Sequence, residues 1–197
     1  MSNPNDPSEF LLAEYKELRG EILKRSEFQH QLISIALVAL GGLAAVGLKD
    51  SPSALLAYPM LVLFLAAGWT SNGIQISQIG IYIRYRIEKR LVGPDGAWEH
   101  RAIVSGTASK KIGALHKLAT RGILLGSEFL AIGLYLLKRL SSGWPIPAER
   151  KGEVVLLLLS LAAIAFTMWI MRSRDHLVDQ IVQSMRKPVV APPASES

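Results

Sequence analysis

The sequence predicts an all-α fold, a four-span transmembrane helical bundle whose first two helices extend into a cytoplasmic antiparallel helical hairpin. The first observation is charge. Residues 51–83 and 154–171 carry none, residues 26–48 carry only Glu27, and residues 122–137 carry only Glu128. A helix rises about 1.5 Å per residue, so about 20 residues cross a hydrocarbon core of roughly 30 Å. The second is composition. Half of the 197 residues are hydrophobic and the mean hydropathy is +0.28. The stretches LLAYPMLVLFLAAG and VVLLLLSLAAIAFTMWIM are apolar all round, whereas a core helix of a soluble bundle keeps a polar face. The third is the placement of basic residues. With both termini in the cytoplasm, 17 of the 22 Lys and Arg residues fall on the cytoplasmic side and five outside. The positive-inside rule selects that orientation.

Residues 1–8 (MSNPNDPS) are expected to be disordered, with Ser8 capping the first helix. A long hairpin then occupies residues 9–92, with span 1 at about 31–48 and span 2 at about 54–74. Ahead of span 1, Leu11, Tyr15, Leu18 and Ile22 form a coiled-coil-like stripe between charged neighbours. Beyond span 2, Ile79, Ile83, Ile87 and Leu91 lie on one side, with Arg84, Arg86, Lys89 and Arg90 opposite. Folding the chain about Asp50–Ser51 sets Gln31 level with Ser71 and Glu27 level with Gln75, and aligns the two stripes as a seam. That seam either closes the hairpin on itself, packs between subunits, or holds a cytoplasmic partner. Pro59 either kinks span 2 or is absorbed in its first turn. The Gly93–Pro94–Asp95–Gly96 turn ends the hairpin.

A cytoplasmic connection follows at 93–111, irregular until it enters a helix around Ser109. Residues 112–172 hold span 3 (about 121–138) and span 4 (about 153–171). Leu177, Ile181 and Met185 make residues 173–186 an amphipathic helical continuation. The Pro-rich tail 187–197 (KPVVAPPASES) has the composition of a disordered segment.

Glu128 is the outstanding residue, a carboxyl expected near mid-membrane. Such a group costs on the order of 3 kcal/mol and turns toward the bundle or toward water. Ser160 on span 4 is expected at comparable depth, with Thr70, Trp69 and Ser34 about a turn lower. Glu128 is then hydrogen-bonded inside the bundle, lines a conduit with Ser160 and Thr70, or meets a partner subunit. Gly122, Gly126 and Gly133 share another face of the same helix, a small-residue stripe suited to close helix packing. Arg121 lies about 10.5 Å below Glu128 on its face, and is expected to snorkel to the headgroups.

Other classes are excluded by what the chain lacks. Without cysteine there is no disulfide, thiol catalysis or thiolate-held metal. His30, His100, His116 and His176 show no metal-ligand spacing, and no nucleophile elbow, phosphate loop or dinucleotide fingerprint occurs. We therefore expect no enzyme, no cofactor and no metal. The net charge of +6 lies where cytoplasmic loops meet anionic headgroups, so nucleic acid is not an expected partner. The polar, acidic residues 1–31 are no cleavable signal, and span 1 is expected to be retained.

The segment EYKELRGEILKRSEFQHQLISIALVALGG at 14–42, Tyr58–Pro59 and the QIGIYIR segment at 78–84 resemble a group of small bacterial multi-pass integral membrane proteins. They are also similar to the SLATT-type two-span effector modules of bacterial conflict systems. The resemblance implies the bacterial inner membrane and a signal-triggered pore. The expected function is an oligomeric pore, channel-like or effector protein gated through its cytoplasmic hairpin. Two alternatives stay open: a non-conducting scaffold that recruits a cytoplasmic protein, and a small transporter. The expected partners are the lipid bilayer, further copies of the chain and a cytoplasmic protein.

Overall fold

Long uninterrupted helices account for almost every described residue. The computed structural model describes residues 7–88, 90, 108–141 and 151–186, and the side chains of 8–88, 90, 118–141 and 151–183 among them. Helix α1 runs over Pro7–Lys49. It starts on Pro7 because the first helical position needs no N–H donor. Ser8, expected as the cap, therefore lies within the first turn. Lys49 closes the helix with a cation beside its carbonyls. The turn that follows is tight: Asp50 N and Ser51 N both donate to Val46 O, at 2.8 and 3.3 Å. Gly47 permits it, since a Cβ there would sit 2.6 Å from Leu55 Cγ.

A 3-10 segment, Pro52–Ala57, leads into α2, Tyr58–Tyr82. Pro59 falls in the first turn of α2, where no intrahelical bond is lost, and produces no break. A π-helical turn, Ile83–Glu88, replaces the expected continuous α-helix beyond Tyr82. Helix α3 runs over Ala108–Ser141 and α4 over Lys151–Arg186. The expected amphipathic helix at 173–186 is thus the same helix as the fourth apolar stretch. No strand occurs among the described residues. Leu91, the turn at 93–96 and both termini lie outside the described residues.

Three helices are long and apolar enough to cross a membrane: Ser8–Lys49, Pro52–Glu88 and Lys151–Gln183. Helix α3, whose apolar run Glu128 interrupts, falls outside that set. Helix α2 is central and packs most extensively against α4 and α1. The core joins all four helices through Ala36, Tyr58, Val62, Ala66, Leu124, Ala131 and Met171. A second cluster, Leu55, Leu56 and Tyr135, fills the end near the 3-10 segment. The outer surface is apolar as well: Val38 is 77% exposed and Phe64 73%. That inversion is ordinary where lipid replaces water.

The register between α1 and α2 differs from the expected one. Gln29 Nε2 donates to Trp69 O at 2.8 Å, and Arg25 reaches Asn72 Oδ1 at 3.4 Å. Gln31–Ser71 and Glu27–Gln75 are therefore out of step by several residues. A 3-10 helix rises about 2.0 Å per residue against about 1.5 Å, so six residues advance α2 by about two positions.

Candidate functional site

Glu128 and its surroundings are built by α3, α2 and α4. Glu128 is 0% exposed, and Thr167 Oγ1 on α4 donates to its Oε1 at 3.1 Å. Its Oε2 is buried without a hydrogen-bond partner. Next to it, Ser127 Oγ lies 2.8 Å from the Tyr58 hydroxyl and donates to Leu124 O at 2.7 Å. The Tyr58 hydroxyl also lies 3.1 Å from Ala36 O. One polar node thus ties α1, α2 and α3 together directly beside the carboxyl.

Ser160, expected level with Glu128, is elsewhere. It is fully buried, with Oγ 2.6 Å from Leu56 O and 2.7 Å from Leu156 O. Thr70 is buried and its Oγ1 has no partner. Ser34 is exposed and bonds back to His30 O. The structure thus scatters the expected trio Glu128, Ser160 and Thr70, and brings Glu128 to Thr167. Thr167 was not anticipated from the sequence; in the structure Arg139 pairs with Glu153 at 2.9 Å and Arg121 with Asp175 at 2.8 Å. Those two pairs fix the α3–α4 register and place Glu128 opposite residues near 167. Arg121 stays away from Glu128 as expected, but it donates to Met171 O and Asp175 instead of reaching outward alone.

The glycine stripe makes no contact within the chain. A Cβ added at Gly122, Gly126 or Gly133 would meet nothing within 4 Å, so the packing expected of this face is not made by α1, α2 or α4. The other expected constellation, the apolar seam, is partly assembled. Ile83 and Ile87 are fully buried, while Leu11, Tyr15, Leu18, Ile22 and Ile79 are half-buried. The Tyr82 hydroxyl donates to Glu14 Oε1 at 2.9 Å. That hydrogen bond to the carboxylate holds the proton on the phenol and raises its pKa above the usual value. At this end Phe10, Leu11 and Glu14 face Tyr82, Arg86 and Ile87 across a groove of about 630 Å³.

A belt of polar groups lies where the apolar run of α4 ends; polar residues at this depth were expected on α1 and α2, and the contribution of α4 was not. Arg174 stacks over the Trp69 ring at 4.6 Å. Gly73 makes that possible, because a Cβ there would come within 2.6 Å of the guanidinium. Asn72 Nδ2 donates to Gly68 O, and Ser77 Oγ to Gly73 O. Arg25, held by Glu21 Oε1 2.8 Å from its Nε, joins from α1. Among the described residues no group of His, Asp and Glu gathers in a metal-binding arrangement.

This architecture defines a class, that of all-helical bundles with membrane-span-capable helices. No protein-family model, curated protein or solved structure matches the chain.

Proposed function

We propose that the chain is a four-span integral protein of the bacterial inner membrane, with both termini cytoplasmic. In this arrangement it is a non-conducting assembly subunit, and α1 with the end of α2 forms a cytoplasmic hairpin that receives a protein partner. The spacing of the α3–α4 ion pairs supports the third span: Arg121 and Arg139 stand about 27 Å apart along α3, close to a hydrocarbon thickness. Residues 122–137 carry only Glu128, and residues 154–171 carry no charge. One observation favours the scaffold over a conduit. Ser127, Glu128, Ser160, Thr167 and Thr70 are all turned into the core of a single chain. Past the polar belt, by contrast, Phe10 and Leu23 stand 73% and 71% exposed.

The second candidate is a pore of several copies. The open glycine face of α3 favours it, since small residues let helices of neighbouring chains approach closely. The resemblance of residues 14–42 to SLATT-type modules points the same way.

The chain has no cysteine, so single cysteines at Ser2, Ser51, Ser105, Ser142 and Ser195 can be labelled with an impermeant maleimide. Only positions 51 and 142 should react from outside. External reaction at 105 would overturn the topology. Purified protein in planar bilayers should give no unitary currents, and currents abolished by bulky residues at Gly126 would establish the pore instead.

A further inference from the structure

Beyond Arg174 the polar belt opens into a cavity of about 250 Å³ between α2 and α4, lined by Ser77, Arg174, Asp175, Val178 and Asp179. Its two charged ends differ in character. Arg174 is fixed in orientation by the Trp69 ring, and a stacked guanidinium keeps its in-plane N–H groups for an oxyanion. Among the described residues those N–H groups meet no carboxylate, and Asp179 meets no cation. Asp175, between them, is already held by Arg121. The cavity therefore offers a cation and an anion outside any ion pair, with the charge of Asp175 also reaching Arg174, and suits a ligand carrying both charges. Its volume is below that of ordinary small-molecule pockets and fits a headgroup.

The order of the two charges matters. Arg174 follows the uncharged run 154–171 directly, while Asp179 lies five residues, about 7.5 Å, farther from it. A phospholipid presents its phosphate next to the acyl chains and its amine farther into water, in the same order. We infer that the cleft between α2 and α4 binds the headgroup of an amine-bearing phospholipid, its phosphate on Arg174 and its primary ammonium on Asp179. The assignment rests on the membrane placement proposed above. Gly73 is a positioning residue: it leaves the space in which the Arg174 guanidinium lies over the ring.

Membranes from expressing cells are first washed with alkaline carbonate. Retention of the chain upholds the membrane placement; release would overturn that placement itself. Full-length protein, stripped of lipid in maltoside, is then titrated with dihexanoyl-phosphatidylethanolamine, -phosphatidylglycerol or -phosphatidylcholine. The readouts are thermal midpoint and native mass spectrometry. Ethanolamine lipid should bind at least tenfold more tightly than the other two, because a quaternary ammonium has no N–H for Asp179 and glycerol no charge. Asp179→Asn, on an exposed position, should lower the ethanolamine lipid to the level of phosphatidylglycerol. Arg174→Gln should weaken all three at least tenfold, and Gly73→Ala should act in the same direction. Equal affinity for the three lipids, or preferences unchanged in Asp179→Asn, would overturn the site. Free phosphoethanolamine binding as tightly as the lipid would overturn the membrane source of the ligand.

Discussion

Among the described residues Glu128 has one side-chain donor, the Thr167 hydroxyl. Removing only that donor leaves both carboxyl oxygens unsatisfied, so Thr167→Val should cost about 1–3 kcal/mol, read as a lower thermal midpoint in detergent. Glu128→Leu should do the opposite and raise the midpoint, because it removes a buried polar group from an apolar core. Combining the two should cancel the penalty of Thr167→Val, since no orphaned oxygen remains. A double mutant as unstable as Thr167→Val alone would show that the threonine acts through something other than Glu128. A fall in stability with Glu128→Leu would give the carboxyl a role that its burial does not explain. Tyr58→Phe loses the link among Ala36, Ser127 and α2, and about 1 kcal/mol by the same measurement.

Among the elements, the helices were legible and their registers were not. Charge-free runs longer than a bilayer is thick leave little choice about helix, and the entry near Ser109 into α3 was placed within a residue of Ala108. Registers depend on how many residues a turn consumes, which composition does not encode. The 3-10 segment after Pro52 shifted α2 against α1, and Ser160 sits against Leu56 O instead of level with Glu128. Arg174 on Trp69 was missed for a related reason: a glycine four residues after a tryptophan signals space only once the opposite helix is known. Cysteines at 32 and 68 should crosslink efficiently under mild oxidation, because Leu32 Cδ1 lies 3.5 Å from where a Cβ of residue 68 would be. A pair at 31 and 71 should lag. The reverse order would restore the register expected from symmetric folding about Asp50–Ser51. The Arg121–Asp175 pair is partly exposed, so a double-mutant cycle on it should return no more than about 1 kcal/mol.

For the molecule as a whole, the question is what covers α3. Gly126 faces open space, so Gly126→Ile should leave the fold of one chain intact, and should stabilise the helix locally by filling a propensity gap of a few tenths of a kcal/mol. If copies associate through this face, the same substitution should abolish crosslinked dimers in native membranes while far-UV helicity is kept. Dimers that persist would place any self-association on another surface.

The length of α1 has a mechanical side. From the middle of its apolar stretch, near residue 38, to Phe10 the helix runs unbroken for about 42 Å. Helices in bilayers take tilts of roughly 0–40°, set partly by membrane thickness. A change of about 10° pivoting at mid-bilayer would sweep the Phe10 end sideways by about 7 Å, more than one helical turn. Since Tyr82 grips Glu14 near that end, the motion would either drag the π-helical turn along or part the two. Such a helix is a lever, and the groove at its tip would widen or close with the thickness and tension of the lipid around its base.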